Sequence, residues 1–149
     1  MPNANRTKGN KDDSDFRTNV IPDTHPSCVF CSGDRQAEAV EENRSVFALK
    51  DKYPVSPGHH LVLPKRHTPD YFTMTSDERR NADELLRILR TKILADDPSI
   101  QAFNVGTNCS ETAGQTIMHA HIHLIPRRRG DTPEPRGGVR GVIPSRMSY

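Results

Sequence analysis

Three histidines stand at alternate positions in the segment MHAHIHLIPRRRGD, residues 118–131, and three arginines follow them. Alternate residues of an extended strand share one face, so His119, His121 and His123 are predicted to point to the same side. A rise of about 3.3 Å per residue would set them about 6.6 Å apart. The apolar residues between them are then predicted to face a core. This regularity argues against a solvated histidine face without a role.

Two chemistries suit such a row of imidazoles. The histidines could be ligands of a catalytic zinc ion that keeps an open position for water. Alternatively, one imidazole attacks phosphorus, because a pKa near 6.5 leaves it largely neutral and nucleophilic at pH 7. The arginines that follow favour the second chemistry, since guanidinium groups bind phosphate and repel metal cations.

A nucleophilic histidine needs groups that fix its tautomer, donate to phosphoryl oxygens and assist the leaving group. His59 and a neighbouring backbone carbonyl are the candidates for orienting the ring. The candidates for the remaining roles are polar residues close to the histidine row: Asn108, Gly114 and Gln115 for the phosphate, and Thr116 or His123 for the leaving oxygen.

The composition limits the class of protein. The chain has 149 residues, a hydrophobic fraction of 33% and a net charge of +2 at pH 7, which predict one modest domain and no nucleic-acid partner. The sequence has neither an apolar secretory signal near its start nor an apolar run of membrane-spanning length. We therefore expect no membrane partner and a cytoplasmic location. Three cysteines make no disulfide framework.

The two ends of the chain differ from its centre. Residues 1–26 are polar and aperiodic and are predicted to be a disordered tail, and residues 27–131 are predicted to be the domain. Residues 132–149 form an extension rich in Pro, Gly and Arg, which we place near the active site. From Pro126 onward six arginines face one aspartate and one glutamate, a local excess of +4 that suits an anionic ligand.

The order of elements predicts an α+β domain with an antiparallel sheet and one main helix on one face. Residues 36–51 and 58–67 are interpreted as strands. The helix is predicted to begin at Thr75, whose spacing from Glu78 is that of a capping box. Its apolar stripe has helical spacing, and is formed by Ala82, Leu85, Leu86, Leu89 and Ile93. Later strands are predicted at 100–108 and 116–127, with a loop between them.

These residues resemble the histidine triad (HIT) superfamily. The run HAHIHLI matches its alternation of histidine and apolar residues, and NVGTNCSETAGQTIMHAHIHLIPR resembles its Asn-x-Gly-x-Asn, Ala-Gly-Gln and Pro-Arg motifs. FALKDKYPVSPGHHLVLPKRH resembles its earlier strand pair, and CVFC its frequent cysteine pair. The likeness spans about residues 27–131. It departs at Ser110, where many members have glycine.

The resemblance implies a five-stranded antiparallel sheet with one main helix in each subunit of a two-fold homodimer. It also implies cleavage of adenosine- or guanosine-type nucleoside phosphates at the α-phosphorus, with His121 as the nucleophile that becomes nucleotidylated. His123 would contact the phosphate or the leaving oxygen, and His59 would buttress the site. The remaining positions that match the family's site are Asn108, Gln115 and Thr116 for phosphate and leaving group, Asp51 for ribose and Leu49 for the base. The residues after the triad resemble the dinucleoside polyphosphate hydrolases and phosphorylases more closely than the phosphoramidases.

Zinc is a separate expectation. Cys28 and Cys31 have C-x-x-C spacing, and His67 and His119 could complete a tetrahedral structural site, as in the bacterial-type members that this chain resembles. His119 would then be a ligand while His121 stays the nucleophile, and no organic cofactor is expected. Two rivals stay open, namely a sensor that binds purine nucleotides with little turnover and a zinc hydrolase with the triad as ligands.

Overall fold

Five strands form one antiparallel sheet in the computed structural model, which describes residues 23–149. The strands lie in the order β1-β2-β3-β5-β4, and two α-helices accompany them. Their bounds are β1 Glu41–Glu42, β2 Val46–Lys50, β3 His60–Pro64, β4 Ala102–Gly106, β5 Ile122–Arg127, α1 Gly33–Ala37 and α2 Ser76–Asp96. The prediction of an α+β domain with a five-stranded sheet and one main helix is confirmed.

Helix α2 begins where the sequence predicts. The Thr75 hydroxyl accepts a hydrogen bond from the Glu78 amide, and the Glu78 carboxylate accepts one from the Thr75 amide, so the capping box satisfies two amides at the helix start. The apolar stripe of α2 packs on one face of the sheet, against residues such as Val46, Val62 and Leu124. That face holds the main core.

The opposite face of the sheet carries a second, smaller core. It consists of Phe30 from the N-terminal segment and four residues of β2 and β3: Phe47, Leu49, Leu61 and Leu63. Because side chains alternate along a strand, Ala120, Ile122 and Leu124 face α2. The histidines between them therefore lie on the side of the second core, as the alternation predicts.

All four strand predictions were too long: 58–67 contains only β3, 100–108 contains only β4, and the first residues of 36–51 belong to α1. The strand predicted at 116–127 is confined to Ile122–Arg127, because the backbone before it bonds outside any ladder; the Ala120 amide, for example, donates to the Thr68 carbonyl. The strand predicted at 36–51 is broken between β1 and β2 by a turn. There Asn43 bonds to Val46 through both its backbone and its side chain.

The predicted N-terminal tail lies outside the described residues except for its last four. The Asp23 carbonyl accepts a hydrogen bond from the His67 amide, and the His25 ring lies 5.1 Å from the His67 ring. The sequence had suggested no role for His25. Within residues 23–149 no helix combines the length and apolar character that crossing a bilayer requires.

We expect Glu78→Gln to lower the free energy of unfolding by about 2 kcal/mol, because two charge-assisted hydrogen bonds are lost. The Glu78 side chain is 7% exposed and accepts bonds of 2.9 Å from both Nε and Nη2 of Arg66. Chemical denaturation at neutral pH measures the change. Glu84→Gln, at an exposed position on the same helix, is the matched control and should change the stability by less than about 0.5 kcal/mol.

The pH dependence of the stability gives a second test of the ion pair between Glu78 and Arg66. Burial alone would raise the pKa of Glu78, but the bonds from Arg66 and Thr75 outweigh it and hold the pKa below its ordinary value of 4.5. The stabilisation is therefore complete above that value and is lost as the pH falls through the folded-state pKa. Wild type and Glu78→Gln should converge in stability as the pH is lowered progressively below 4.5; a constant difference would contradict this assignment.

Candidate active site and metal centre

The ring of His121 is fixed by the backbone just before it. Its Nδ1 lies 2.8 Å from the carbonyl oxygen of His119, and since a carbonyl can only accept, Nδ1 carries the proton. The lone pair is then on Nε2. That atom has no hydrogen-bond partner within residues 23–149, and no fully buried side-chain nitrogen or oxygen there lacks one, so Nε2 keeps some exposure although His121 as a whole is 8% exposed. Such a nitrogen can attack an electrophile.

His59 and His123 form a hydrogen-bonded pair beside it. The Val55 amide lies 3.3 Å from Nδ1 of His59 and donates to it, which leaves the His59 proton on Nε2. That proton points to Nδ1 of His123 at 2.9 Å, with Asp51 Oδ2 at 3.4 Å. His123 therefore carries its own proton on Nε2, as a donor for an incoming oxygen. The rings of His121 and His123 lie 5.2 Å apart.

A tight turn places His59 in this pair. Gly58 has φ +89°, in the left-handed region that favours glycine, and a Cβ there would lie 3.2 Å from the Pro126 ring. The Ser56 hydroxyl donates to the Pro126 carbonyl at 2.6 Å, and the Asp51 amide donates to the His59 carbonyl at 2.9 Å. The turn between β2 and β3 is thus tied to β5, which carries His123.

His119 turns its ring toward the cysteine pair. Its Nε2 lies 2.8 Å from the Pro64 carbonyl, so that nitrogen carries the proton. Its Nδ1 then faces the sulfur atoms of Cys28 and Cys31, each at 3.5 Å, and Nδ1 of His67 lies 3.3 Å from the Cys31 sulfur. One ligand atom from each of these residues falls within 4.8 Å of the others. The structure thus gathers the four side chains that the sequence named for zinc.

Burial keeps these histidines neutral. It lowers the pKa of His119 to about 4, with a counteracting bond from Pro64. Burial, aided by the neighbouring His121 and His59, also lowers the pKa of His123 to about 4, although Asp51 opposes this. The pKa of His59 is lowered by burial too, against the raising effect of Asp51. Burial thus favours the neutral form of His59, His119 and His123.

The loop before the triad is held by Gln115. Its Oε1 accepts from the Ser110 amide at 2.7 Å, and its Nε2 donates to the carbonyls of Pro69 at 2.6 Å and Ile117 at 3.0 Å. Both amide hydrogens are used, so the predicted bond to a phosphate would require one of them to open. Ser110 has φ 75° and ψ 163°, a conformation that only glycine adopts at low cost. The departure from the family's glycine thus leaves a strained residue, which Gln115 braces.

A cavity of about 500 Å³ opens beside His59 and His123. The loop residue Asn108 lines it, and its predicted contact with phosphate stays a prediction. The sequence analysis missed Asn104, which also lines the cavity and accepts a bond of 2.7 Å from Arg127. The likeness of its segment to the Asn-x-Gly motif could have found it.

Several predicted site residues do not line this cavity: His121, His119, Gln115, Asp51, Thr116, Leu49 and Gly114. Thr116 lines another cavity, together with Cys28 and His67. Leu49 is buried in the second core. Gly114 ends the short turn of the preceding loop with φ +91°. The base, leaving-group and phosphate roles of Leu49, Thr116 and Gly114 stay predictions.

The arginines after the triad are paired. Arg127 donates to both carboxylate oxygens of Asp131 at 2.8 Å, and Arg128 binds Asp97 at 2.6 Å. The local excess of +4 already counts Asp131, so only the pairing of Arg128 with Asp97 reduces it; an anionic ligand for the remaining arginines stays a prediction. The charges of Arg127 and Arg128 are neutralised by carboxylates, one of which comes from the distant end of α2.

Comparisons with known proteins identify the family of this chain. A profile of the HIT domain matches residues 32–130, more than half of the chain, and the chain belongs to the HIT family. A HIT-like protein of Methanocaldococcus jannaschii is 34% identical over 107 residues, which cover 70% of this chain and 81% of that protein. The adenosine 5'-monophosphoramidase of Candida albicans is 29% identical over 112 residues, covering 70% and 73%.

Solved structures of the family show the same fold. A HIT family protein from Bacillus anthracis superposes with a TM-score of 0.66 at 33% identity, over 72% of this chain and 78% of that one. A histidine triad nucleotide-binding protein from Sulfolobus tokodaii gives a TM-score of 0.63 at 34% identity, over 72% and 73%.

The tautomers deduced above can be measured. In nitrogen-15 spectra of histidine-labelled protein at pH 7, we expect His121 to be protonated on Nδ1 and His123 on Nε2. Because the pKa of His123 is lowered to about 4, its ring should stay neutral when the pH falls to about 5, whereas in urea it should titrate near 6.5. A folded His123 that titrates near 6.5, or a His121 protonated on Nε2, would overturn the proposed hydrogen-bond chain.

Proposed function

We propose that this protein hydrolyses nucleoside phosphates at the α-phosphorus, with Nε2 of His121 as the nucleophile. The observation that carries the proposal is the bond from Nδ1 of His121 to the His119 carbonyl, 2.8 Å long. It leaves the imidazole lone pair on Nε2, next to a donor nitrogen of His123. This is the arrangement that nucleophilic catalysis with electrostatic stabilisation requires.

The proposed reaction has two steps. In the first, Nε2 of His121 forms a bond to phosphorus while the bond from phosphorus to the leaving group breaks. The electron pair departs with that group, which takes a proton from water in the open cavity. In the second, a water oxygen bonds to phosphorus, the phosphorus–nitrogen bond breaks and a proton is released. His121 is restored, and the sum is hydrolysis to a nucleoside monophosphate.

Two neighbours assist these steps. The Nε2–H of His123 donates to a phosphoryl oxygen, and it stays available at pH 7 because His59 holds the other nitrogen of His123. Asp51, close to this pair, accepts from ribose hydroxyls. Phosphate in place of water as the acceptor would make the protein a phosphorylase, and we propose water as the ordinary acceptor. The two-fold homodimer and the cytoplasmic location remain predictions.

We also propose a structural zinc ion held by Cys28, Cys31, His67 and His119. The donor set is one that Zn²⁺ prefers. Zinc bonds of 2.0–2.3 Å give a tetrahedron with edges of about 3.4–3.8 Å, which the separations of 3.3–3.5 Å between sulfur and nitrogen approach. The bond from His119 Nε2 to the Pro64 carbonyl fixes the ligand nitrogen, as outer partners do in zinc sites. The ion would supply local stability.

The zinc hydrolase is less well supported than the covalent mechanism. Among the described residues no group of potential ligands contains all three histidines of the row. Asp51, His59 and His123 do lie together, but the 2.9 Å between the nitrogens of His59 and His123 is a hydrogen-bond length. The sensor is less well supported because binding alone needs no oriented nucleophile.

We expect His121→Asn to lower kcat on adenosine 5'-phosphoramidate by at least about 10³-fold, because the covalent step is removed, while nucleotide binding persists. Rapid quench without acid, followed by denaturing mass spectrometry, should find a nucleotide monophosphate on His121 of the wild type.

The matched control is His60→Asn, on the residue that begins β3 on the face of Val62. It should retain activity. Full activity in His121→Asn, or an adduct on another histidine, would exclude this mechanism.

Purified protein is expected to contain about one zinc ion per chain. Cys28→Ser and Cys31→Ser should abolish it and lower the thermal midpoint, since the four ligands join the N-terminal segment to the triad. Cys109→Ser, which changes the cysteine outside the cluster, should leave the zinc content unchanged. Wild-type protein that binds no zinc at micromolar concentration would remove this proposal and leave the His121 mechanism intact.

A further inference from the structure

Asp51 directs its carboxylate at two of the candidate catalytic histidines. Its Oδ2 lies 3.4 Å from Nε2 of His59 and 3.9 Å from Nδ1 of His123. Within residues 23–149 the carboxylate forms no ion pair with a lysine or an arginine. The side chain of Asp51 is 14% exposed and that of His59 is 3% exposed, so water and salt screen this contact weakly. The carboxylate is therefore placed to act on the two rings before any ligand is bound.

The backbone around Asp51 fixes the direction of the carboxylate. Its Oδ1 accepts a hydrogen bond of 2.8 Å from the Tyr53 amide, which closes an Asx turn directly after β2. The Asp51 amide donates to the His59 carbonyl at 2.9 Å, and this bond joins the two ends of the loop between β2 and β3. With Oδ1 held by the turn, Oδ2 is left facing the His59 ring.

The contact between Asp51 and His59 favours one tautomer of His59. The Val55 amide donates to Nδ1 of His59, and the proton on Nε2 points to Nδ1 of His123 at 2.9 Å. If that proton moved to Nδ1, it would oppose the Val55 N–H, and a lone pair on Nε2 would face the negative carboxylate. Asp51 therefore helps to hold the His59 proton on Nε2. Because His123 accepts this proton on Nδ1, its own proton stays on Nε2.

Two protein donors converge on Asp51, and each needs an acceptor. They are the Tyr53 amide at Oδ1 and the Nε2–H of His59 near Oδ2. A carboxylate offers an oxygen to each donor, whereas an asparagine side chain has one oxygen and would turn its NH₂ group toward one of them. Each carboxylate oxygen keeps a second lone pair, so these contacts are compatible with the predicted contact with ribose hydroxyls. The position thus calls for a carboxylate for a reason within the protein itself.

The tautomer of His123 matters because its ring lies beside the proposed nucleophile. The rings of His121 and His123 are 5.2 Å apart, and in the proposed reaction the Nε2–H of His123 donates to a phosphoryl oxygen. With the proton on Nδ1 instead, a lone pair on Nε2 would face that oxygen and repel its negative charge. A donor that is already oriented when the substrate arrives avoids this cost during the reaction.

We propose that Asp51 is a positioning residue for the hydrolysis: its carboxylate holds the His59 proton on Nε2, and through His59 it keeps the Nε2–H of His123 directed at the phosphate. This inference rests on the proposed hydrolysis at His121. It gives Asp51 a task that is complete before a nucleoside binds, in addition to the ribose contact that the family resemblance implies.

The ligand-free protein gives the first test, through nitrogen-15 spectra of histidine-labelled protein at pH 7. In the wild type both His59 and His123 should be protonated on Nε2. In Asp51→Asn, whose side chain has nearly the same shape, signals of His59 with its proton on Nδ1 should appear. The matched control is Asp83→Asn, at an aspartate on α2 that is 65% exposed, and it should leave both tautomers unchanged.

A substrate without ribose hydroxyls separates this task from ribose binding. The two substrates are adenosine 5'-phosphoramidate and its 2',3'-dideoxy derivative. Asp51→Asn should lower kcat by about tenfold or more on both, the scale expected when a catalytic group is misplaced. On the dideoxy derivative the loss should fall on kcat rather than on KM. Asp83→Asn should leave kcat on both substrates unchanged.

A double-variant cycle tests whether Asp51 acts through His59. In a His59→Asn background, Asp51→Asn should lower kcat by less than about a further twofold, because the residue through which it acts is absent. Two losses that simply multiply would show that Asp51 acts independently of His59.

Unchanged tautomers in Asp51→Asn, a loss confined to the substrate with ribose hydroxyls, or independent losses in the double variant would each overturn the positioning role. Wild type that cleaves neither substrate would instead refute the proposed hydrolysis, and the inference with it.

Discussion

The hydrogen bonds of His119 determine how the rest of the site is arranged. Its backbone carbonyl accepts from the His121 ring, its Nε2–H donates to the Pro64 carbonyl at the end of β3, and its Nδ1 faces two thiols. The residue is fully buried, so each of these polar groups would cost free energy if its partner were lost. A shift of Cys28 and Cys31 would therefore be transmitted to His121 through His119.

The hydrogen bonds around His119 explain why the strand prediction at 116–127 was too long. Alternation correctly assigned the faces of Ala120 and Ile122, because side-chain direction alternates wherever the backbone is extended. It could not reveal that the residues before Ile122 bond away from the sheet. The His119 carbonyl binds a ring, and the His121 carbonyl accepts from the Thr107 hydroxyl at 2.7 Å. The alternation of apolar and polar residues indicates which face of a strand is buried. It does not indicate these hydrogen bonds, because their partners are distant in sequence.

The pairing of the arginines and the contacts of the loop before the triad were unpredictable from the sequence for the same reason. A count of arginines and acids predicts a basic surface, but the pairing of Arg128 with Asp97 requires the fold that joins the end of α2 to the end of β5. The four candidate zinc ligands were predictable because their residue types and spacing define the chemistry. The contacts of Gln115 were not predictable, because a side-chain amide can donate to a phosphate or to a carbonyl equally well. Only the structure shows that it donates to carbonyls.

The protonated nitrogen alternates along the histidine row, and this alternation separates the two chemistries that the sequence left open. His119 is protonated on Nε2 and directs its lone pair to the thiols. His121 is protonated on Nδ1 and directs its lone pair to solvent. His123 is protonated on Nε2, and its lone pair is taken by the N–H of His59. Three lone pairs that diverge in this way cannot meet at one metal ion, because a common ligand site needs them to converge. The same divergence would let one strand and its preceding turn provide the proposed metal ligand, the proposed nucleophile and a hydrogen-bond donor at neighbouring positions.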